Sequence, residues 1–329
     1  MTDQTTILDM MERAGHASAA RRRFMRLCGG AAAMAGGLSL LSACDDDDEQ
    51  SVPFPDPTAT PTPTASADVD VLNFALSLEY LEGAYYNQAA FGQIVGADLT
   101  TGVGTQGAVT GGRQVNFTDP VVADYAREIA YDELAHIRFL RTSLGSAAVA
   151  QPAINIAGDP TGAFTAAARA AGVIGPNDTF DPYANDENFL VGAYLLTDVG
   201  VTAYRGSARL LTNKTFLEAS AGILATECYH DAAIRSTLWS KGLTRSAIYG
   251  NITRISDTRD TLDGSGETDQ DIGNATTANF VPADSNGLAL GRTAPQVLNV
   301  VYQNRAAVSS GGFFPAGVNG NIRTSAANA

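Results

Sequence analysis

The stretch ILATECYHDAAIR, residues 223–235, sets Glu227 and His230 three apart on an otherwise apolar helical segment. Upstream, YDELAHIRFL repeats the spacing with Glu133 and His136. Side chains at i and i+3 share one helix face. The neighbours Leu134, Ile137 and Leu140, and Ile223, Leu224 and Ile234, mark that face as turned inward. Two helices that each bury a carboxylate and an imidazole must supply them with partners. No other feature narrows the choice of fold so far.

Helical periodicity accounts for four long segments, 69–91, 120–144, 186–211 and 214–240. In the first, Leu72, Ala75, Leu76, Glu79, Glu82 and Tyr86 form the stripe, with Asp68 or Asp70 as its cap. Asp119 caps the second, Pro120 opens it and Gly145 closes it. The third and fourth are joined by the short turn TNK, and Gly242 closes the fourth. Four helices of this length read as an all-α four-helix bundle over residues 68–241. The connections 92–118 and 146–185 are long, and TGAFTAAARAAGV in the latter is a short helix candidate. Beyond Gly242 the sequence turns polar and turn-rich, with APQVLNVVYQ as one more helix. Residues 242–329 are expected to wrap the bundle as a largely irregular extension. GVGTQG, 102–107, spells GxGxxG, but no strand precedes it, so it reads as a flexible loop and not a phosphate cradle.

Residues 1–43 are read apart from the fold. Arg21, Arg22 and Arg23 precede Phe24 and Met25, and an Ala/Gly-rich apolar run follows, the layout of an export signal. The paired arginines resemble the twin-arginine (Tat) signal. Leu41-Ser42-Ala43-Cys44 resembles a bacterial lipobox, which implies lipid on Cys44 and a periplasmic or cell-envelope location, anchored to a membrane. The run 27–43 is short and glycine-rich for a span. Residues 44–67, acidic and then Pro/Thr-rich, read as an extended tether. Removing residues 1–43 takes away five arginines and three acids and leaves a charge of about −16. Such a charge disfavours nucleic acid and anionic membrane surfaces as electrostatic partners. Cys228 is then the only cysteine of the folded part, so no intrachain disulfide is expected.

Glu-x-x-His on two helices, with one Glu from each of the other two, is the ligand set of dinuclear iron and manganese carboxylate bundles. Carboxylates bridge two hard cations and one imidazole caps each. The expected metal ligands are Glu79, Glu133, His136, Glu227 and His230. The alternative is a pair of ordinary Glu–His contacts on helix surfaces. Glu79 is preferred on the first helix because it lies on the apolar stripe with Tyr86 two turns on. Glu82 is the competing choice, either supporting the ligands or facing solvent. Matching Tyr204 in LVGAYLLTDVGVTAY to Tyr86 sets Thr197 where Glu79 stands. Asp198 is adjacent, but one residue is about 100° round a helix. Glu82, Tyr86, Asp198 and Tyr204 are the groups expected beside the ligands, the tyrosines serving equally well as ordinary core residues.

The segments LNFALSLEYLEGAYY, DELAHIRFLRTSLG, DVGVTAYRGSARLL, ILATECYHDAAIR and the tail RTAPQVLNVVYQ…GGFFPAGVNG together resemble the bacterial ferritin-like domain proteins, akin to plant desiccation-related proteins. The resemblance covers most of residues 68–320. It implies a ferritin-like bundle, often exported and associated with stress, with metal on the same five residues. The family commonly carries Glu before this D/G-V-G-V-T-A-Y motif, where this chain has Thr197. The expectation is an exported, lipid-tethered protein binding iron or manganese in a dinuclear centre, able to oxidise ferrous iron or dispose of peroxide. The rival, which Thr197 favours, is a structural or protective envelope protein with a degenerate site. A homo-oligomer is compatible with either; a storage cage fits poorly with a long tether and a bulky C-terminal wrap.

Overall fold

The computed structural model describes residues 66–264 and 266–328. The signal, Cys44 and most of the tether lie outside the described residues. Among the described residues eight helices dominate: α1 (Ser66–Phe91), α2 (Ala97–Thr100), α3 (Pro120–Leu144), α4 (Ala163–Ala170), α5 (Asp186–Ala208), α6 (Lys214–Gly242), α7 (Ala247–Asp263) and α8 (Ala294–Tyr302). The long helices α1, α3, α5 and α6 form the bundle, with α1 packed chiefly on α3 and α5 on α6. Two short β ladders tie the connections. Val109–Thr110 (β1) runs parallel to Ile154–Asn155 (β2), and Gly273–Asn274 (β3) antiparallel to Thr277–Ala278 (β4).

The caps explain why the helices start where they do. The Asp119 carboxylate accepts from the Val121 N–H at 3.0 Å, with Pro120 in the first turn. Asn185 accepts from the Asn188 N–H on α5, and Asn213 from the Thr215 and Phe216 N–H groups on α6. Each satisfies donors that have no partner within the helix. Gly145 ends α3 at φ 55°, where its N–H reaches the Arg141 carbonyl. Asp68 does not cap α1. It lies inside that helix, fully buried, and accepts from the backbone of Thr212 and Asn213 at 2.9 Å each. The start of α1 thus pins the α5–α6 turn.

Two further expectations are corrected. The loop 102–107 is laid tightly on residues 148–153. A Cβ on Gly102 would stand 2.4 Å from the Ala148 carbonyl oxygen, and one on Gly107 would stand 2.1 Å from the Ala153 nitrogen. These glycines serve close backbone approach and not flexibility. The polar region after Gly242 also contains a 17-residue helix, α7. Its apolar signal is thin, with Ile248, Ile252 and Ile255 buried among polar residues, because part of its inner face is charged.

That charge belongs to a buried network. Arg235 of α6, Arg259 of α7 and Arg292 before α8 are all almost wholly inaccessible. Arg235 makes a two-pronged contact with Asp198 of α5 at 2.9 and 3.0 Å. Arg259 joins Asp198 (2.6 Å) to Asp269 (2.7 Å), and Arg292 joins Asp269 (2.8 Å) to Asp263 (2.5 Å). Burial alone would raise the Asp198 carboxyl, but Arg235 and Arg259 hold it at about 2. The C-terminal region therefore docks through complementary charges as well as through Val297 and Leu298 of α8. Among the described residues no helix is long and apolar enough to cross a membrane.

Replacing Asp198 with Asn leaves two buried guanidinium groups without their shared carboxylate, a loss of about 3–5 kcal/mol. The thermal midpoint is expected to fall by roughly 10 °C. The folded-state pKa of Asp198 is depressed from 3.8 to about 2, so its contribution is present above pH 4 and drains away as pH falls through about 2. That portion of the acid-side loss should be missing from Asp198→Asn. Thermal scans of both proteins between pH 2 and 6 check both expectations.

Candidate metal centre

Midway along the bundle, α1, α3 and α6 bring their acidic side chains into one place. From α1 comes Glu79, from α3 Glu133 and His136, and from α6 Glu227 and His230, all at most 8% exposed. His136 Nδ1 lies 3.2 Å from Glu79 Oε2, 3.4 Å from Glu227 Oε1 and 3.7 Å from Glu133 Oε2. His230 Nδ1 lies 3.4 Å from Glu133 Oε1 and 3.9 Å from Glu227 Oε1. The ring centroids are 6.3 Å apart. Glu133 thus turns one oxygen to each imidazole, and Glu227 Oε1 stands within reach of both. The juxtaposition follows from the sequence, because i, i+3 spacing aims each Glu–His pair off one helix face.

One ligand atom from each of Glu79, Glu133, His136 and Glu227 falls within 4.8 Å of the others, a group able to hold a metal ion. The residues fit a cation on chemical grounds. Both oxygens of Glu133, both of Glu227, Glu82 Oε2 and His230 Nδ1 are buried with no hydrogen-bond partner. His230 Nδ1 sits at ion-pair distance from Glu133 without hydrogen-bond geometry. Buried acceptors of this kind are costly when left alone, and hard cations with carboxylate and imidazole ligands answer that need.

Electrostatics tell the same story. Burial, then Glu227 and Glu79, push Glu133 up to about 8. Burial would lower His136, but Glu79, Glu133 and Glu227 hold it far above the ordinary imidazole range. Burial likewise opposes His230, and Asp132, Glu133 and Glu227 carry it to about 10. Burial would raise Glu79, yet the His136 charge and the hydrogen bonds from His136 and Tyr204 leave it lowered. Without metal the cluster keeps protons that a cation would displace.

Around this set, Tyr204 donates its hydroxyl to Glu79 Oε1. The Tyr86 and Thr197 hydroxyls meet at 2.6 Å, so Thr197 is engaged with Tyr86. Glu82 is buried, and Glu227, Glu133 and Glu79 add to burial in raising it well above its usual range. The expectation that Asp198 stands beside the ligands is overturned: it turns instead to Arg235 and Arg259, as the 100° step implies. Sequence reasoning missed Asp132. Its Oδ2 lies 3.1 Å from His230 Nε2 and, accepting a proton there, directs Nδ1 toward Glu133. The only signal was an acid adjoining Glu133, which helix geometry alone would have turned away.

The family model of the ferritin-like domain matches residues 67–240, and the chain belongs to that family. It is 27% identical over 268 residues to the ferritin-like catalase Nec2 of Nesocodon mauritianus, covering 77% of this chain and 83% of that protein. It is 28% identical over 258 residues to the desiccation-related protein PCC13-62 of Craterostigma plantagineum, covering 74% of this chain and 80% of that one. It is a ferritin-like protein akin to desiccation-related proteins.

Asp132→Ala removes the acceptor behind His230 at a partly exposed position, where the fold itself should be indifferent. Metal affinity is expected to drop about 10- to 100-fold with an unchanged far-ultraviolet dichroism spectrum, as read by competition against a coloured chelator.

Proposed function

We propose that this protein holds two iron or manganese ions and uses them to dispose of peroxide. The observation that carries this reading is the set of four partnerless oxygens on Glu133 and Glu227, buried between two inward-facing imidazole nitrogens. Glu79, Glu133, His136, Glu227 and His230 would hold the ions. When bound, such ions supply one-electron redox steps and Lewis acidity toward a small oxygen ligand. Similarity to a protein named as a ferritin-like catalase supports peroxide over ferrous iron as the substrate.

The chain's own residues set the conditions around that chemistry. Tyr204 holds a proton on the hydrogen bond to Glu79 Oε1 and so limits how that carboxylate can turn. Tyr86 keeps its proton against Thr197, and burial with the Glu82 charge raises its hydroxyl well above the ordinary phenol range. Leu81, Leu196, Val199 and Phe313 line, with Glu82 and Gly200, a void of about 10 Å³ beside the cluster. A space of that size admits about one water-sized molecule. Export by the Tat route, and attachment to a membrane through lipid on Cys44, belong to the same proposal. They place the activity in the cell envelope.

A second reading is favoured by Thr197, which leaves α5 without a carboxylate at the expected place: a protective protein with no turnover. Elemental analysis of the purified chain after anaerobic loading with Fe(II) or Mn(II), paired with oxygen release from peroxide, separates the two. Two ions per chain and steady oxygen evolution are expected, with both lost and turnover down by more than about 100-fold in His136→Ala/His230→Ala. Two ions without oxygen evolution would support the protective reading; no ions at all would exclude a metal role.

A further inference from the structure

We propose that Glu82 of α1, and no side chain of α5, supplies the fourth carboxylate of the metal centre, in space that Gly200 leaves open. The inference rests on the metal reading above and assigns a ligand to it.

Helix α5 passes the cluster with no free carboxylate to give. Thr197 is engaged with Tyr86, and Asp198 with Arg235 and Arg259. The next α5 residue facing the acids is Gly200, and what surrounds it is informative. A Cβ built there would stand 2.8 Å from Glu82 Oε1 and 3.2 Å from Glu227 Oε2. Carboxylate oxygens from two different helices therefore converge on the spot that a side chain of residue 200 would fill. Glycine in a helix interior is less favourable than alanine by about 1 kcal/mol; here the missing Cβ leaves the volume to the acids.

Glu82 lies three residues from Glu79, so both project from one face of α1. It is 6% exposed, and its Oε2 has no hydrogen-bond partner. No arginine or lysine forms an ion pair with Glu82 or Glu227 among the described residues. Two carboxylates brought together out of water need a proton or a cation between them. Helix α1 thus donates two carboxylates, Glu79 and Glu82, and α5 donates room.

The test compares isosteric and steric variants of the full chain by bound ions per chain and by metal affinity. Glu82→Gln keeps the shape and removes the charge. It is expected to lose one of two ions, or to bind it at least tenfold more weakly, while keeping the other. Gly200→Ala, which drives a methyl against Glu82 Oε1, is expected to weaken the same ion by a similar factor. Thr197→Glu in the Glu82→Gln background should regain the lost ion, because a carboxylate then returns from α5. The thermal midpoint of metal-free Glu82→Gln should be no lower than that of the parent, which excludes misfolding as the cause. Two ions bound with parental affinity in both Glu82→Gln and Gly200→Ala would overturn the proposal and leave the metal reading standing. A parent chain that binds no ion would overturn both.

Discussion

Four glutamates are taken out of water in the middle of a helical bundle, and most of the local architecture follows from accommodating them. Removing a carboxylate from water costs several kcal/mol even after relaxation. A cluster of Glu79, Glu82, Glu133 and Glu227 persists only where a large apolar frame surrounds it. The frame is made by the residues that alternate with the acids: Leu78, Leu81, Ile137, Leu140 and Ile234 are buried on the same helices. The two imidazoles soften the cost because protonated histidine is the one cation that a Glu-x-x-His face can bring with it.

Helix α5 acts as the partition of the molecule. Within two turns it presents Thr197 to Tyr86, Asp198 to Arg235 and Arg259, Gly200 to Glu82 and Glu227, and Tyr204 to Glu79. Successive residues rotate about 100°, so neighbours in sequence serve different networks. The same holds on α6, where His230 faces the acid cluster and Asp231 the arginines. A single substitution in either helix therefore has an address, the acid cluster or the arginine network, set by its phase on the helix.

The bundle was legible in the sequence because long amphipathic runs, caps and closing glycines all point the same way. The paired Glu-x-x-His motifs made two of the site's four walls legible for the same reason, and the apolar stripe that carries Glu79 made a third. What stayed hidden depends on relations between helices. Nothing local to Asp132 says that His230 of a distant helix will stand in front of it. Glu82 remained an open alternative because its role is set by the absence of a side chain at Gly200, and an absence carries no periodicity. Helix α7 was passed over because its buried face uses Ser256, Arg259 and Asp263, residues that read as solvent-facing until their partners are known.

The two buried networks, built side by side on α5 and α6, give an internal comparison that bears on metal binding. In the arginine network, Asp198, Asp231, Asp263 and Asp269 meet Arg235, Arg259 and Arg292, three cations for four acids, and of the acids' oxygens Asp231 Oδ1 and Asp263 Oδ1 are buried without a hydrogen-bond partner. The chain can evidently pair its buried carboxylates with guanidinium groups when that is what stabilises the fold. In the glutamate cluster it supplies none, although burial is equal. Protons can neutralise the acids, and burial with mutual repulsion pushes Glu82 and Glu133 upward in that direction. A proton serves one oxygen, however, whereas the partnerless atoms of Glu133 and Glu227 number four. A metal centre held by these residues would give the acids a shared partner. Its binding free energy would then add to the stability of the folded chain, making the metal-free state the one in which this core is incomplete.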